Sequence, residues 1–219
     1  MTVRGPRSRN PFSKIEPIMV EVELPAGSEV HASSGLGDVH CEGPLGNVYL
    51  RSALGNVTVE RAGTAELTTA TGTIRAQHLD GDAEAHGAGR VAIGHVGGDL
   101  TVKNISGETE IGEVFGETRI KSSNGSVSIE TAHAGVNVRS AFGAIRIVRL
   151  TCGVIDLGTA TGEIEVGIPE TTAAWLDIHT KAGQVRNELP TSEVPSDKPN
   201  RAEVHARTSA GNITVTRAA

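Results

Sequence analysis

Aromatic side chains are nearly missing from this sequence: three Phe, one Trp and one Tyr among 219 residues. An ordinary globular core of this size buries many such rings, because each removes a large apolar area from water. Val, Ile, Leu, Ala and Thr must therefore fill the interior, which suits thin layers of stacked β-branched and small residues. Cysteine is scarce too. Cys41 and Cys152 make neither a disulfide framework nor a Cys-x-x-Cys pair, so both are expected as reduced thiols. Their 111-residue separation also argues against a mutual bridge. No run approaches the ~20 apolar residues that span a bilayer. The stretch from Phe12 to Val20 is broken by Ser13, Lys14, Glu16 and Pro17, so no secretory signal is read and a cytoplasmic location is expected. Net charge is −6, which gives no general case for nucleic-acid binding.

Glycine, by contrast, is abundant and regular. Gly37, Gly55, Gly72, Gly89, Gly107, Gly125, Gly143, Gly162, Gly183 and Gly211 each precede an alternating pair, with successive gaps of 18, 17, 17, 18, 18, 18, 19, 21 and 28 residues. Two positions after the glycine the column reads Val39, Val57, Ile74, Val91, Thr109, Val127, Ile145, Ile164, Val185, Ile213. Four positions after it stand Cys41, Val59, Ala76, Ile93, Ile111, Ile129, Ile147, Val166, Asn187, Val215. A mostly polar column lies between, and this period of two marks a strand with one buried face. A second strand precedes each glycine, with inward pairs such as Val48/Leu50, Leu100/Val102 and Leu176/Ile178. Three residues before the glycine sits a hydroxyl or amide (Ser34, Ser52, Thr69, Asn104, Ser122, Ser140, Thr159, Thr180, Thr208). Such a side chain ties down turn backbone, and glycine tolerates positive φ there. The coil holding His86 is one residue short, which leaves its turn register open.

A unit of two short strands cannot bury its own apolar face, and no helical pattern offers a cover. Coiling lets the two inward faces pack on each other while each coil pairs with the next at ~4.8 Å. The expected fold is all-β: a β-solenoid of about ten coils with an ~18-residue repeat. A propeller blade needs more chain per repeat. A hairpin sandwich is the structural rival. The domain reading is a basic flexible arm over 1–14 (Arg4, Arg7, Arg9, Lys14) and one repeat domain over 15–219. Ile18 to Val22 should open an irregular first unit, followed by a Pro25-Ala26-Gly27 turn. The loop at 188–200, with Pro190, Pro195 and Pro199, should be the most mobile internal segment. The blocks "SSGLGDVHCEGPLGNVYLRSALGNVTV", "SSNGSVSIE" and "TAAWLDIHTKAGQVRN" resemble bacterial β-strand-repeat domains named as adhesins of unknown function. The resemblance covers about residues 18–217. It implies a solenoid-like fold and brings no catalytic residue with it.

His78 and His95 each precede a turn glycine by three residues, with Glu60 and Glu113 in the equivalent place on flanking coils. Imidazole and carboxylate ligate divalent metals, so this is the candidate metal site. A solvated surface ladder is the expectation, with no metal or organic cofactor. Calcium is rejected because the position after each glycine varies through Asp38, Asn56, Thr73, Arg90, Glu108 and Ser126, whereas calcium-binding rolls repeat every nine residues. The charges Arg75, Glu110, Arg146 and Glu165 are read as about two coils, ~10 Å, apart, too far for proton transfer. No nucleophile elbow or phosphate loop is present. The reading is a non-enzymatic interaction module for a partner protein or polymer. Self-association through the solenoid ends and a polysaccharide-acting enzyme are the alternatives.

Overall fold

A computed structural model describes residues 19–189 and 199–218. The basic arm and most of the 188–200 loop lie outside them. Twenty strands and no helix occur among the described residues, so no helix there is long and apolar enough to cross a membrane. The strands come in pairs, one pair per coil: β1 (Val30–Leu36) and β2 (Val39–Leu45), β3 (Val48–Leu54) and β4 (Val57–Ala62), β5 (Ala65–Thr71) and β6 (Ile74–Leu79), β7 (Ala83–Gly87) and β8 (Val91–Val96), β9 (Leu100–Ser106) and β10 (Thr109–Val114). The series continues with β11 (Thr118–Asn124) and β12 (Val127–Ala132), β13 (Val136–Phe142) and β14 (Ile145–Leu150), β15 (Gly153–Thr161) and β16 (Ile164–Ile168), β17 (Thr172–Ala182) and β18 (Val185–Asn187), β19 (Asn200–Ala210) and β20 (Ile213–Arg217).

Odd-numbered strands form one ten-stranded sheet and even-numbered strands the other. Neighbours in each are parallel. Val57 lies against Ile74 and Ile129 against Ile147, as the repeat requires, and the sandwich of hairpins is excluded. The stacking is not wholly sequential. Eight coils follow chain order; then β19 inserts between β15 and β17, and β20 between β16 and β18. The final pair is therefore interior and the penultimate pair is the end, which corrects the expectation of about ten coils in one linear series. The lengthened glycine gaps of 21 and 28 residues are the chain needed to skip a rung and return.

Period-two alternation buries the expected columns between the sheets: Leu50, Leu67, Ile129, Ile147 and Leu157 are all within 1 % of complete burial. Each such side chain contributes about 1.5–3 kcal/mol relative to an exposed one. The second sheet adds a third inward column, Ala62, Leu79, Val96, Val114, Ala132 and Leu150. It is reached after two successive outward-leaning residues, such as Gly94 and His95. The strand turns a corner there, so strict alternation misses the column. Leu176 and Ile178 are only half-buried, because β17 is the end rung. Residues 19–24 form no strand, and Val20 and Val22 are exposed, contrary to the irregular first unit expected at Ile18 to Val22. The Pro25–Gly27 turn does form: Ser28 donates to the Pro25 carbonyl, and Gly27 N–H reaches the Pro44 carbonyl at 2.9 Å.

The hydroxyl column works between coils. Ser52 donates to the Gly37 carbonyl (3.1 Å), Thr69 to Gly55 (2.9 Å), Thr208 to Gly162 (3.1 Å) and Thr180 to Gly211 (2.9 Å). At the short coil, where β7 has only five residues, the Asn104 amide donates to Gly89 instead (2.9 Å).

Candidate functional site

Strand pairing sets which outward side chains meet. Arg61, His78, His95 and Glu113 are successive register neighbours on β4, β6, β8 and β10. The His78 and His95 rings stack 4.1 Å apart at 2°, so the sequence correctly makes them adjacent. Glu60 does not belong with them. The chain passes from Ala62 straight to Gly63 but from Leu79 through Asp80 to Gly81, so counting back from the turn glycine slips by one residue. Glu60 instead accepts the Gly43 N–H at 2.8 Å.

Around the two rings the polar groups are already matched. His78 Nε2 lies 3.0 Å from Asp80, which also takes two guanidinium bonds from Arg61 at 3.0 and 3.1 Å. Glu113 bridges His133 (2.8 Å) and His95 (3.5 Å), and Phe115 stacks on His133 at 4.3 Å. The Arg61 hydrogen bonds, then its charge and His78, hold the Asp80 carboxyl below its ordinary value. His133, chiefly by its hydrogen bond, does the same for Glu113. A metal needs lone pairs converging at ~2.1 Å, whereas stacked parallel imidazoles direct theirs side by side. Among the described residues no group of three or more His, Cys, Asp or Glu is placed to hold a metal.

The column expected to scatter its charges is also paired. Arg146 and Glu165 are direct neighbours on β14 and β16, with nitrogen and oxygen 3.5 Å apart, not two coils apart. Glu110 is held by Arg90 at 2.7 Å. Both cysteines are free. Cys41 is inward-facing but only half-buried, since β2 is an end strand, and burial pushes its thiol up. Cys152 donates to the His133 carbonyl at 3.0 Å.

The outer face of the first sheet holds a feature that the inward-facing pattern did not reveal. Its central outward column runs Ser33, Arg51, Thr68, His86, Lys103, Lys121, Arg139, Gly158, Arg207, His179 across the ten strands. It contains no acidic residue. The adjacent column supplies acids at both ends: Glu66 pairs with Arg51 at 2.9 Å, Glu84 with Lys103 at 3.6 Å, Asp156 with Arg139 at 2.9 Å and Asp177 with Arg207 at 3.1 Å. On β11 the same column carries Arg119, flanked by Thr101 and Asn137. Arg119 and Lys121 have no carboxylate partner among the described residues. Lys103, Arg119, Lys121 and Arg139 thus make a cationic patch over three adjacent strands. Beside it, where Gly158 omits a side chain, lies a shallow depression of about 770 Å³ lined by Arg139, Val154, Asp156, His179, Lys181 and Arg207. The signal was present in the sequence as the 18-residue spacing of Lys103, Lys121 and Arg139.

No curated protein and no solved structure matches the chain. The adhesin label attached to the sequence resemblance gains no support from the family match. That match covers residues 3–216 and agrees with the parallel repeat fold: the chain belongs to the Toastrack DUF4097 family, a domain family of unknown function.

Proposed function

We propose that this domain is a non-catalytic interaction scaffold whose outer first-sheet face receives an acidic patch of a partner protein. The observation that carries this reading is the Lys103–Lys121–Arg139 run of like charges on directly adjacent strands, with Arg119 beside it. Like charges opposite one another destabilise a sheet; Glu84 and Asp156 offset Lys103 and Arg139 at its flanks, and Lys121 with Arg119 at its centre is left for an acidic occupant to neutralise. Parallel register pairing sets the strands that carry those cations ~4.8 Å apart. Flanking Glu66, Glu84, Asp156 and Asp177 limit the patch and repel a long phosphate backbone, which favours a discrete protein surface over nucleic acid.

Hexaglutamate binding, followed by fluorescence anisotropy in low salt, tests this. The double variant Arg119→Glu/Lys121→Glu should lose at least about tenfold in affinity, equivalent to about 1.4 kcal/mol, and added salt should weaken wild-type binding. Equal binding by wild type and variant, or tighter binding of a single-stranded oligonucleotide than of the peptide, would refute it.

A further inference from the structure

The two ends of the solenoid differ from its middle and complement each other. In the second sheet both edge strands are blunted. β2 carries Gly43 at φ +75° and Pro44, with a register shift between Cys41 and Pro44, and β18 has only three residues. The first sheet shows none of these devices. Its edges, β1 with seven residues and β17 with eleven, contain no proline and no inward charge, and their inward Val30, Ala32, Leu176 and Ile178 are half-buried. Unblunted edges are templates for further strand pairing.

Within the first sheet and its turns one set of backbone hydrogen bonds repeats from rung to rung. Val30 N–H donates to the Asn47 carbonyl, Val48 to Thr64, Gly37 to Leu54 and Gly211 to Ala182. Continued to β17, this pattern aims the Leu176 and Gly183 N–H groups off the end, and the matching acceptors at the opposite end are the Glu29 and Leu36 carbonyls. The hydroxyl ladder stops in the same way. Ser52, Thr69, Thr159, Thr208 and Thr180 each reach back to a glycine carbonyl of the neighbouring coil, whereas among the described residues Ser34 has no such carbonyl behind it and the Gly183 carbonyl has no hydroxyl ahead. Gly37, unlike Gly55, has no backbone carbonyl against the position of a Cβ.

We infer that the chain self-associates head to tail, β17 of one copy pairing in parallel with β1 of the next. Continuing the column that ends at Leu176 sets Leu176 beside Val30, Ile178 beside Ala32, Asp177 beside His31, and Ser34 within reach of Gly183. Two half-buried apolar pairs then become buried, and the parallel ladder continues. Like ends cannot do this, since each repeats the same unmatched group. The contact is heterologous and does not close on itself, so it propagates into a linear polymer. This inference is independent of the cationic face.

Ala32→Lys blocks the β1 end and Ile178→Lys the β17 end. Light scattering over a concentration series should show wild-type mass rising above the 22.7 kDa of one chain. Each variant alone should stay at the single-chain mass, and a 1:1 mixture of the two should double it, because each retains the end the other lacks. Circular dichroism and a cooperative melt confirm that the variants fold. Ser33→Pro, on an exposed edge position that tolerates proline, should block polymerisation without placing a charge against the core. A wild type that stays monomeric at every concentration, or an Ala32→Lys variant that dimerises by itself, would overturn the inference.

Discussion

At the scale of single residues, the glycine column decides whether coils can stack. Gly55 has φ +148°, and a Cβ there would lie 2.2 Å from the Gly37 carbonyl oxygen. Gly37 has φ +131°, but its nearest neighbour to such a Cβ is the Ser34 hydroxyl at 3.6 Å. Gly37→Ala should therefore cost about 1–3 kcal/mol from backbone strain alone. Gly55→Ala should cost more, because the backbone of the adjacent coil must also move. Urea midpoints of dilute protein compare the two, and equal losses would show that crowding between coils contributes nothing. These columns were legible because two periods, 2 and ~18, coincide in them. Glu60 was misplaced and Ala62, Leu79 and Val96 were missed for one reason: the corner of the second sheet breaks alternation locally, and only strand register reveals the shift.

At the scale of strands, position in the stack matters as much as composition. Ile129 on β12 and Ile178 on β17 are both inward isoleucines, yet one is fully buried and the other is on an end rung. Ile129→Ala should destabilise by about 2–5 kcal/mol through lost contacts and a residual cavity. Ile178→Ala should cost clearly less in dilute, single-chain protein, as judged by chemical denaturation. Sequence alone could not separate these residues, because the repeat shows that a strand exists but not which neighbours it finds. The exchange of the last two coils was hidden for the same reason: a 28-residue gap records spare chain, not its route.

At the scale of the whole molecule, the outer faces are laced with ion pairs that link coils. Asp80, Glu84, Glu113, Asp156 and Asp177 are all held below their ordinary values, mainly by hydrogen bonds from Arg61, His86, His133, Arg139 and His205 respectively. A carboxylate whose folded value is depressed contributes stability above its unfolded value, and loses it as pH falls through the folded one. Thermal stability should hold near neutrality and decline from about pH 4 downward. Because these groups are exposed, each contribution is small and salt-sensitive. Glu113→Gln should flatten the acid limb slightly in melts recorded against pH; an unchanged or steeper limb would show that the bridge to His95 and His133 carries no linked stability.

The exchanged coils also constrain the order of assembly. Seen from the ribosome, a solenoid normally grows by adding each new rung to the last completed one. Here that rule holds as far as β16. The next segment made, β17 and β18, must wait, because its pairing surface belongs to β19 and β20, which are synthesised later. Until they arrive, the edges of β15 and β16 are open to capture by the wrong rung. Completion is therefore an insertion rather than an addition, and a chain cut after β18 lacks an inner layer instead of an outer one.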